Sequence, residues 1–202
     1  GVVLDLMIND LDCILALVDS ELIDVQALGM TVFGPHEDMV QARLTFANGC
    51  VANVCASRTS FEAKRVTHVY SEKGYAQIDF ATRTASVVSP GEWLAGGIDI
   101  HNLSEPDRQH VREHLFDDPN LLALRTIEAG ECNPLLEEQQ DFCDAIRFGR
   151  APRVTARAGR DALWAAHRVL QSVSRHQWDG SSHGRTGPDA RPGAAAPLRK
   201  AA

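Results

Sequence analysis

Several absences narrow the reading of this 202-residue chain. It has no Gly-x-Gly-x-x-Gly, and Gly91 with Gly96-Gly97 has the wrong spacing and follows no clear strand–helix turn. No dinucleotide site is therefore expected within it. No apolar run approaches the roughly 20 residues of a membrane helix. Positive charge is in deficit, with 20 Lys and Arg against 27 Asp and Glu, for a net charge of −7. That excludes the basic footprint of a nucleic-acid or anionic-membrane surface. There is no Cys-x-x-Cys pair. The cysteines, Cys13, Cys50, Cys55, Cys132 and Cys143, are odd in number and scattered through apolar patterns. They read as reduced, buried thiols of a cytoplasmic protein, not as metal or redox ligands.

What is present is enough for a core, since 44 % of residues are hydrophobic. Leu4, Met7, Ile8, Leu11, Leu15 and Val18 recur at helical spacing and predict one apolar face. Asp5, Asn9 and Asp12 follow one another on a second, polar stripe of that helix. On pattern alone, a solvated helix face is the plainer reading of this stripe.

From about Leu22 to Pro90 the pattern turns to strands. Gln41–Ala47 and Cys50–Ala56 flank Asn48-Gly49, a strong hairpin signal. A two-residue turn would pair Phe46 with Val51 and Ala47 with Cys50. Leu44, Phe46 and Val51 then share one face, with Ala52 and Val54 on the other. A sheet apolar on both faces needs two covers, helices on one and a second subunit on the other. Further strands are expected at Arg65–Ser71, Tyr75–Ala81, Ala85–Ser89 and Leu121–Glu128, with a turn at Lys73-Gly74.

Ser104, with Pro106 and Asp107 just inside, starts a short helix through about Phe116. Asn133 and Pro134 open a longer one, with Leu135, Leu136, Phe142, Cys143 and Ile146 as its apolar face, and Gly149 ends it. The last helix runs from about Thr155 to His176, burying Leu163, Ala166, Leu170 and Val173. From there, residues 177–202 are rich in Gly, Pro, Ala, Ser and Arg and read as a disordered tail. His110 and His114 have a spacing that can hold a metal, but no third ligand is near, and an exposed helical face is the plainer reading. His36 belongs in a loop before a strand. His167 reads as packed or paired.

The order of these motifs resembles the glucose–fructose oxidoreductase/inositol dehydrogenase (Gfo/Idh/MocA) family over residues 1–176. Gly1-Val-Val-Leu-Asp5-Leu-Met-Ile-Asn9-Asp10-Leu-Asp12 is similar to the segment that opens its C-terminal domain. Glu37-Asp38, the Ala42–Phe46 strand, Asn48-Gly49 and Ala56-Ser-Arg58 resemble its central hairpin. Pro134-Leu, Glu138, Phe142, Ala145-Ile-Arg, Gly149, Pro152 and Val154 resemble its closing helix and turn. Gly159 with Ala162-Leu163 is similar to the opening of its final helix.

The resemblance implies an α+β domain, an open and mostly antiparallel sheet with helices packed on one face. It implies a preceding Rossmann domain that binds NAD or NADP, and the chain begins inside the motif, at Gly1, without one. It implies a sugar, cyclitol or nucleotide-sugar substrate, and a homo-oligomer formed through the sheet face. Leu4-Asp-Leu-Met-Ile8 is most similar to bacterial members acting on UDP-N-acetylglucosamine at C3. The family carries a histidine at the position of Asn9 and an aspartate at that of Asp5, with a lysine from the other domain. Asp5, Asn9, Asp12 and Arg58 are thus the expected substrate-binding residues, and Asp5 and the Asn9 position the catalytic ones. An amide does not take up a proton near neutral pH. Catalysis would then rest on the lysine or on Asp5. Arg58 either holds an anionic substrate group or makes an ion pair at a surface or interface. The alternative is a non-catalytic sugar-binding or assembly module that lacks both the cofactor domain and the histidine.

Overall fold

The structure, a computed structural model, describes residues 1–97, 102–181 and 183–188. Its strands are all paired antiparallel in an α+β fold, but they fall into two sheets instead of one. The chain divides into two units, the first made of Gly1–Phe61 and the segment from Glu138, the second of Glu62–Glu137.

In the first unit, strands β1 (Leu22–Met30), β2 (Met39–Phe46) and β3 (Val51–Ser57) form a meander. Two helices, α1 (Ile8–Val18) and α5 (Ala156–Arg175), pack together, and α5 lies on β1. The strand alternation gives one buried face, with Val40, Ala42, Leu44 and Phe46 on β2 and Val54 and Ala56 on β3. Val169 and Val173, with Ala165 and Ala166, complete the core from α5. Fully burying a side chain such as Leu44 or Phe46 is worth roughly 1.5–3 kcal/mol.

The hairpin register differs from the expected one. Thr45 pairs with Val51 and Leu44 with Ala52. Phe46 N–H donates to the Cys50 carbonyl, and Gly49, at φ 86°, adds a third residue to the loop. Such a loop is built on a left-handed glycine and shifts the register by one. One residue of shift moves a side chain to the opposite face. Val51 therefore leaves the side of Leu44 and Phe46, while Ala52 and Val54 join it. The other face carries Gln26, Gln41, Arg43, Asn53 and Cys55, all at least partly exposed, so the two-sided apolar hairpin is not formed. The same shift puts Cys55 in solvent. Cys13, Cys132 and Cys143 are also exposed and Cys50 half-buried, so the cysteines are free but not core residues.

The outer edge of β1 is covered by side chains of α5. Arg168 donates to the Leu22 and Ile23 carbonyls at 2.7 and 3.0 Å, and Ser172 Oγ accepts from Ala27 N–H at 2.7 Å. Thr31 N–H donates to the Pro188 carbonyl at 3.1 Å, and Trp178 Nε1 to that of Gly187 at 2.8 Å. Described residues beyond 176 thus have defined partners where a featureless tail was expected, because Trp178 and the return to Pro188 satisfy backbone groups. The rest of the expected tail, Ser182 and 189–202, lies outside the described residues.

Helix burial departs from expectation at particular positions. Leu163 is exposed while Ala162, Ala165 and Ala166 are buried, because the small residues of α5 face α1 and β1. His167 is exposed. Helix α4 (Pro134–Phe148) starts as expected, with Asn133 Oδ1 accepting from Leu136 N–H at 3.2 Å. Its apolar residues Leu135, Leu136, Phe142, Cys143 and Ile146 are nonetheless exposed; Ala145 alone on this helix is buried.

The second unit holds β4 (Val66–Ser71), β5 (Gly74–Asp79), β6 (Thr84–Pro90) and β7 (Leu122–Glu128) in that order. Two helices, α2 (Glu92–Ala95) and α3 (Glu105–His114), lie between β6 and β7 in the chain. Ser104 caps α3 by accepting from Asp107 N–H at 3.3 Å. Leu121 is fully buried, but most strand residues of this sheet are only half-buried or exposed.

Candidate substrate site

The first turn of the chain is not α-helical. Residues Val3–Met7 form a π-turn, in which Ile8 N–H reaches the Val3 carbonyl five residues back. A π-turn holds an extra residue per turn, and such turns are frequent at functional sites. Here it rotates the apolar side: Val2, Val3, Met7 and Leu11 are buried and Leu4 turns out to solvent. Glu37 holds the start of this turn, its carbonyl accepting from Val2 N–H at 3.0 Å and its Oε1 from Val3 N–H at 3.4 Å.

The rotation brings Asp5 to Arg58, just past β3, whose Nη2 donates to Asp5 Oδ2 at 3.2 Å. Arg58 follows β3, an edge strand of the three-stranded sheet. Its Nε faces Asp38 Oδ1 at 3.8 Å. Asn9 is exposed one turn beyond Asp5, and its Nδ2 donates to the Leu6 carbonyl at 3.4 Å. Asp12 is half-buried. It lines a groove of about 230 Å³ with Thr155, Arg157, Ala158 and Asp161 at the start of α5. The four expected residues thus divide: Asp5 and Arg58 meet, Asn9 is adjacent on the helix, and Asp12 belongs to a separate groove.

Asp38 is the residue the sequence reading passed over. It is buried, and its Oδ2 accepts from Val32 and Phe33 N–H at 2.7 Å each and from Gly34 N–H at 3.4 Å. The Phe33 and Val32 amides, with help from Gly34 and Arg58, hold its carboxyl below the usual aspartate range against the opposing effect of burial. The available signal was its place on the strand pattern. Asp38 lies two residues before Val40, so alternation puts it on the buried face, where a charge needs partners.

His110 and His114 lie apart from these residues in sequence, on α3. His110 Nε2 meets Asp118 Oδ2 at 3.0 Å and its ring lies 5.0 Å from that of His114. Among the described residues, no group of three or more His, Cys, Asp or Glu is placed to hold a metal ion. Nor is any helix among them long and apolar enough to cross a membrane. Among the described residues the strands are antiparallel and no glycine-rich turn links a strand to a helix, so they form no Rossmann-type dinucleotide cradle.

Comparison with known proteins agrees with this architecture. The family model for the GFO/IDH/MocA C-terminal domain matches residues 1–77. A UDP-N-acetylglucosamine 3-dehydrogenase of Acidithiobacillus ferrooxidans is 34 % identical over 172 residues, covering 85 % of this chain and 48 % of the relative. A solved structure of UDP-N-acetylglucosamine 3-dehydrogenase from that organism aligns with a TM-score of 0.68 at 30 % identity, over 85 % of this chain and 48 % of that one. Levoglucosan dehydrogenase in complex with NADH shares the fold, with a TM-score of 0.63 at 18 % identity, over 85 % and 47 % of the two chains. This chain spans about half the length of the curated relative it matches. By its motifs, its fold and these likenesses, the chain belongs to the Gfo/Idh/MocA family and corresponds to its C-terminal domain.

Proposed function

We propose that this chain is the substrate-shaping part of an NAD(P)-dependent oxidoreductase that oxidises a secondary alcohol of a sugar or nucleotide sugar. The observation that carries the reading is the Asp5–Arg58 pair beside Asn9 on a π-turn, in a chain 34 % identical to a nucleotide-sugar dehydrogenase. The hydride acceptor would be held by a Rossmann domain of the intact protein. This chain's own residues bind and orient. Asp5 accepts from substrate hydroxyls, the Asn9 carboxamide donates and accepts, and Arg58 offers a guanidinium to an anionic group. Asp12 would act from its groove on a more distant part of the substrate. A positioned base contributes typically ~10²–10⁴-fold to such an oxidation. Asn9 is no base, so the alcohol proton passes to Asp5 or to a group outside this chain. Reduced cysteines accord with a cytoplasmic protein.

Self-association through a sheet face is retained in this reading, but in the second unit. Val69, Ala76, Ile78, Val87 and Ile127 share one face of that sheet by register, and Tyr70, Tyr75, Val88 and Leu124 the other. The first face is the more apolar, since His68, Gln77, Ser86 and Thr126 share the second, and residues of the central strands are no more than half-buried.

Asn9 also favours a second reading, a sugar-binding or assembly module without turnover. One experiment separates the two. The full-length protein is given UDP-N-acetylglucosamine with NAD or NADP, and nicotinamide reduction and substrate binding are followed together. Reduction supports the enzyme; calorimetric binding without reduction supports the module. Neither binding nor reduction would remove this substrate from both.

A further inference from the structure

Asp38 sits where the three strands of the first sheet end. Its N–H donates to the Met30 carbonyl at 2.8 Å, at the end of β1, and its carbonyl accepts from Arg58 N–H at 2.9 Å, just past β3. The β2–β3 register, carried one step past Met39 and Ser57, places Asp38 opposite Arg58. Both then fall on the side of the sheet that carries Val40 and Ala56, where Asp38 is buried and Arg58 is exposed. One carboxylate oxygen of Asp38 is taken by the Val32–Gly34 amides and the other faces the Arg58 guanidinium. Arg58 is therefore hydrogen-bonded to Asp38 at its backbone and ion-paired with it at Nε across 3.8 Å, while its Nη2 donates to Asp5.

We propose that Asp38 is a positioning residue for the substrate site. It sets the direction of the Arg58 guanidinium, and Arg58 sets that of the Asp5 carboxylate. The chain of contacts runs from a buried anchor with fixed geometry to two partly exposed groups. Without the anchor, Arg58 and Asp5 would still pair, but in many arrangements, and a substrate would have to select one of them. The inference rests on the reading of Asp5 and Arg58 as substrate-facing.

The test uses the full-length protein with its nicotinamide cofactor and UDP-N-acetylglucosamine. Asp38→Asn keeps an oxygen for the Val32–Gly34 amides but turns an uncharged group toward Arg58. KM is expected to rise about tenfold with kcat changed much less. That is the low end for losing a charge-assisted contact when the guanidinium stays partly in water. In an Arg58→Gln background, Asp38→Asn should raise KM no further, while its effect on thermal unfolding persists in both backgrounds. An equal rise of KM in both backgrounds, or a change in melting temperature alone, overturns the proposal. Should Asp38→Asn fail to fold, Arg58→Lys carries the test. A single ammonium cannot span both carboxylates, so KM rises; an unchanged KM overturns the relay. Arg58→Gln raising KM while Asp38→Asn does not would remove the positioning role alone. If Arg58→Gln and Asp5→Ala both leave KM unchanged, the substrate-site reading falls, and the relay with it.

Discussion

Asn9 stands on the exposed side of the first helix, where its carboxamide already donates to Leu6. A histidine there would add a group that titrates near neutral pH, with an ordinary pKa of about 6.5. Asn9→His in the full-length protein is expected to raise kcat, with ~10²–10⁴-fold as the ceiling for a general base. The pH profile of kcat should gain a limb near the histidine pKa. An unchanged kcat would place the base elsewhere. Asp38 gives a prediction of a different kind. Its carboxyl is held below the ordinary 3.8 first by the Phe33 and Val32 amides. A depressed folded-state pKa contributes stability that is present above the unfolded value and is lost as pH falls through the folded one. The stability gap between the native chain and Asp38→Asn should therefore be constant near neutrality and close as pH drops below about 3.8. Chemical denaturation at a series of pH values checks this. A gap that closes instead near neutral pH would assign the effect to another group.

At the scale of elements, the Asn48-Gly49 loop decides which side chains meet. A Cβ at Gly49 would find nothing within 4 Å, so the cost of Gly49→Ala comes only from φ 86°. That is about 1 kcal/mol, read by urea denaturation. Gly29→Ala is the opposite case. Its backbone is unstrained, but the new methyl would lie 2.9 Å from Val40 Cγ2 and 3.0 Å from Val173 Cγ1. Overpacking of this sort costs about 1–3 kcal/mol. A loss for Gly49→Ala well above that for Gly29→Ala would argue against this division of causes. The same loop explains how much was legible beforehand. The strands of the second unit and the caps at Ser104 and Asn133 were readable, because alternation, Gly and capping residues are local signals. The register was not, because Asn-Gly is compatible with loops of two or three residues. With a two-residue loop, Asp38 would face Thr59 and its pairing with Arg58 would be invisible. The π-turn was hidden for a related reason. Leu4 and Val3 are equally apolar, and only packing against the sheet decides which turns inward.

Taken whole, the chain is unevenly buried. The contiguous core of Val2, Met7, Leu44, Phe46, Val169 and their neighbours lies within the first unit, while among the described residues of the second Leu121 is the fully buried large side chain. Local opening free energies follow buried apolar contact. Amides of β2 and of the middle of α5 should exchange slowest with deuterium, and those of β4 to β7 much faster in dilute protein. Phe46→Ala, costing about 3–5 kcal/mol, should speed exchange across β1 to β3 and α5 and leave β4 to β7 nearly unchanged. If the second sheet is a surface where copies associate, its exchange must slow as protein concentration rises, since anything bound only to the folded state stabilises it by mass action. The core of the first unit should show no such dependence. Exchange in β4 to β7 that is fast and independent of concentration, with a monomer by sedimentation, would leave that sheet to be covered by another part of the intact protein or by none. Slowing confined to β4 alone would instead point to edge pairing, because β4 is an outer strand of its sheet among the described residues.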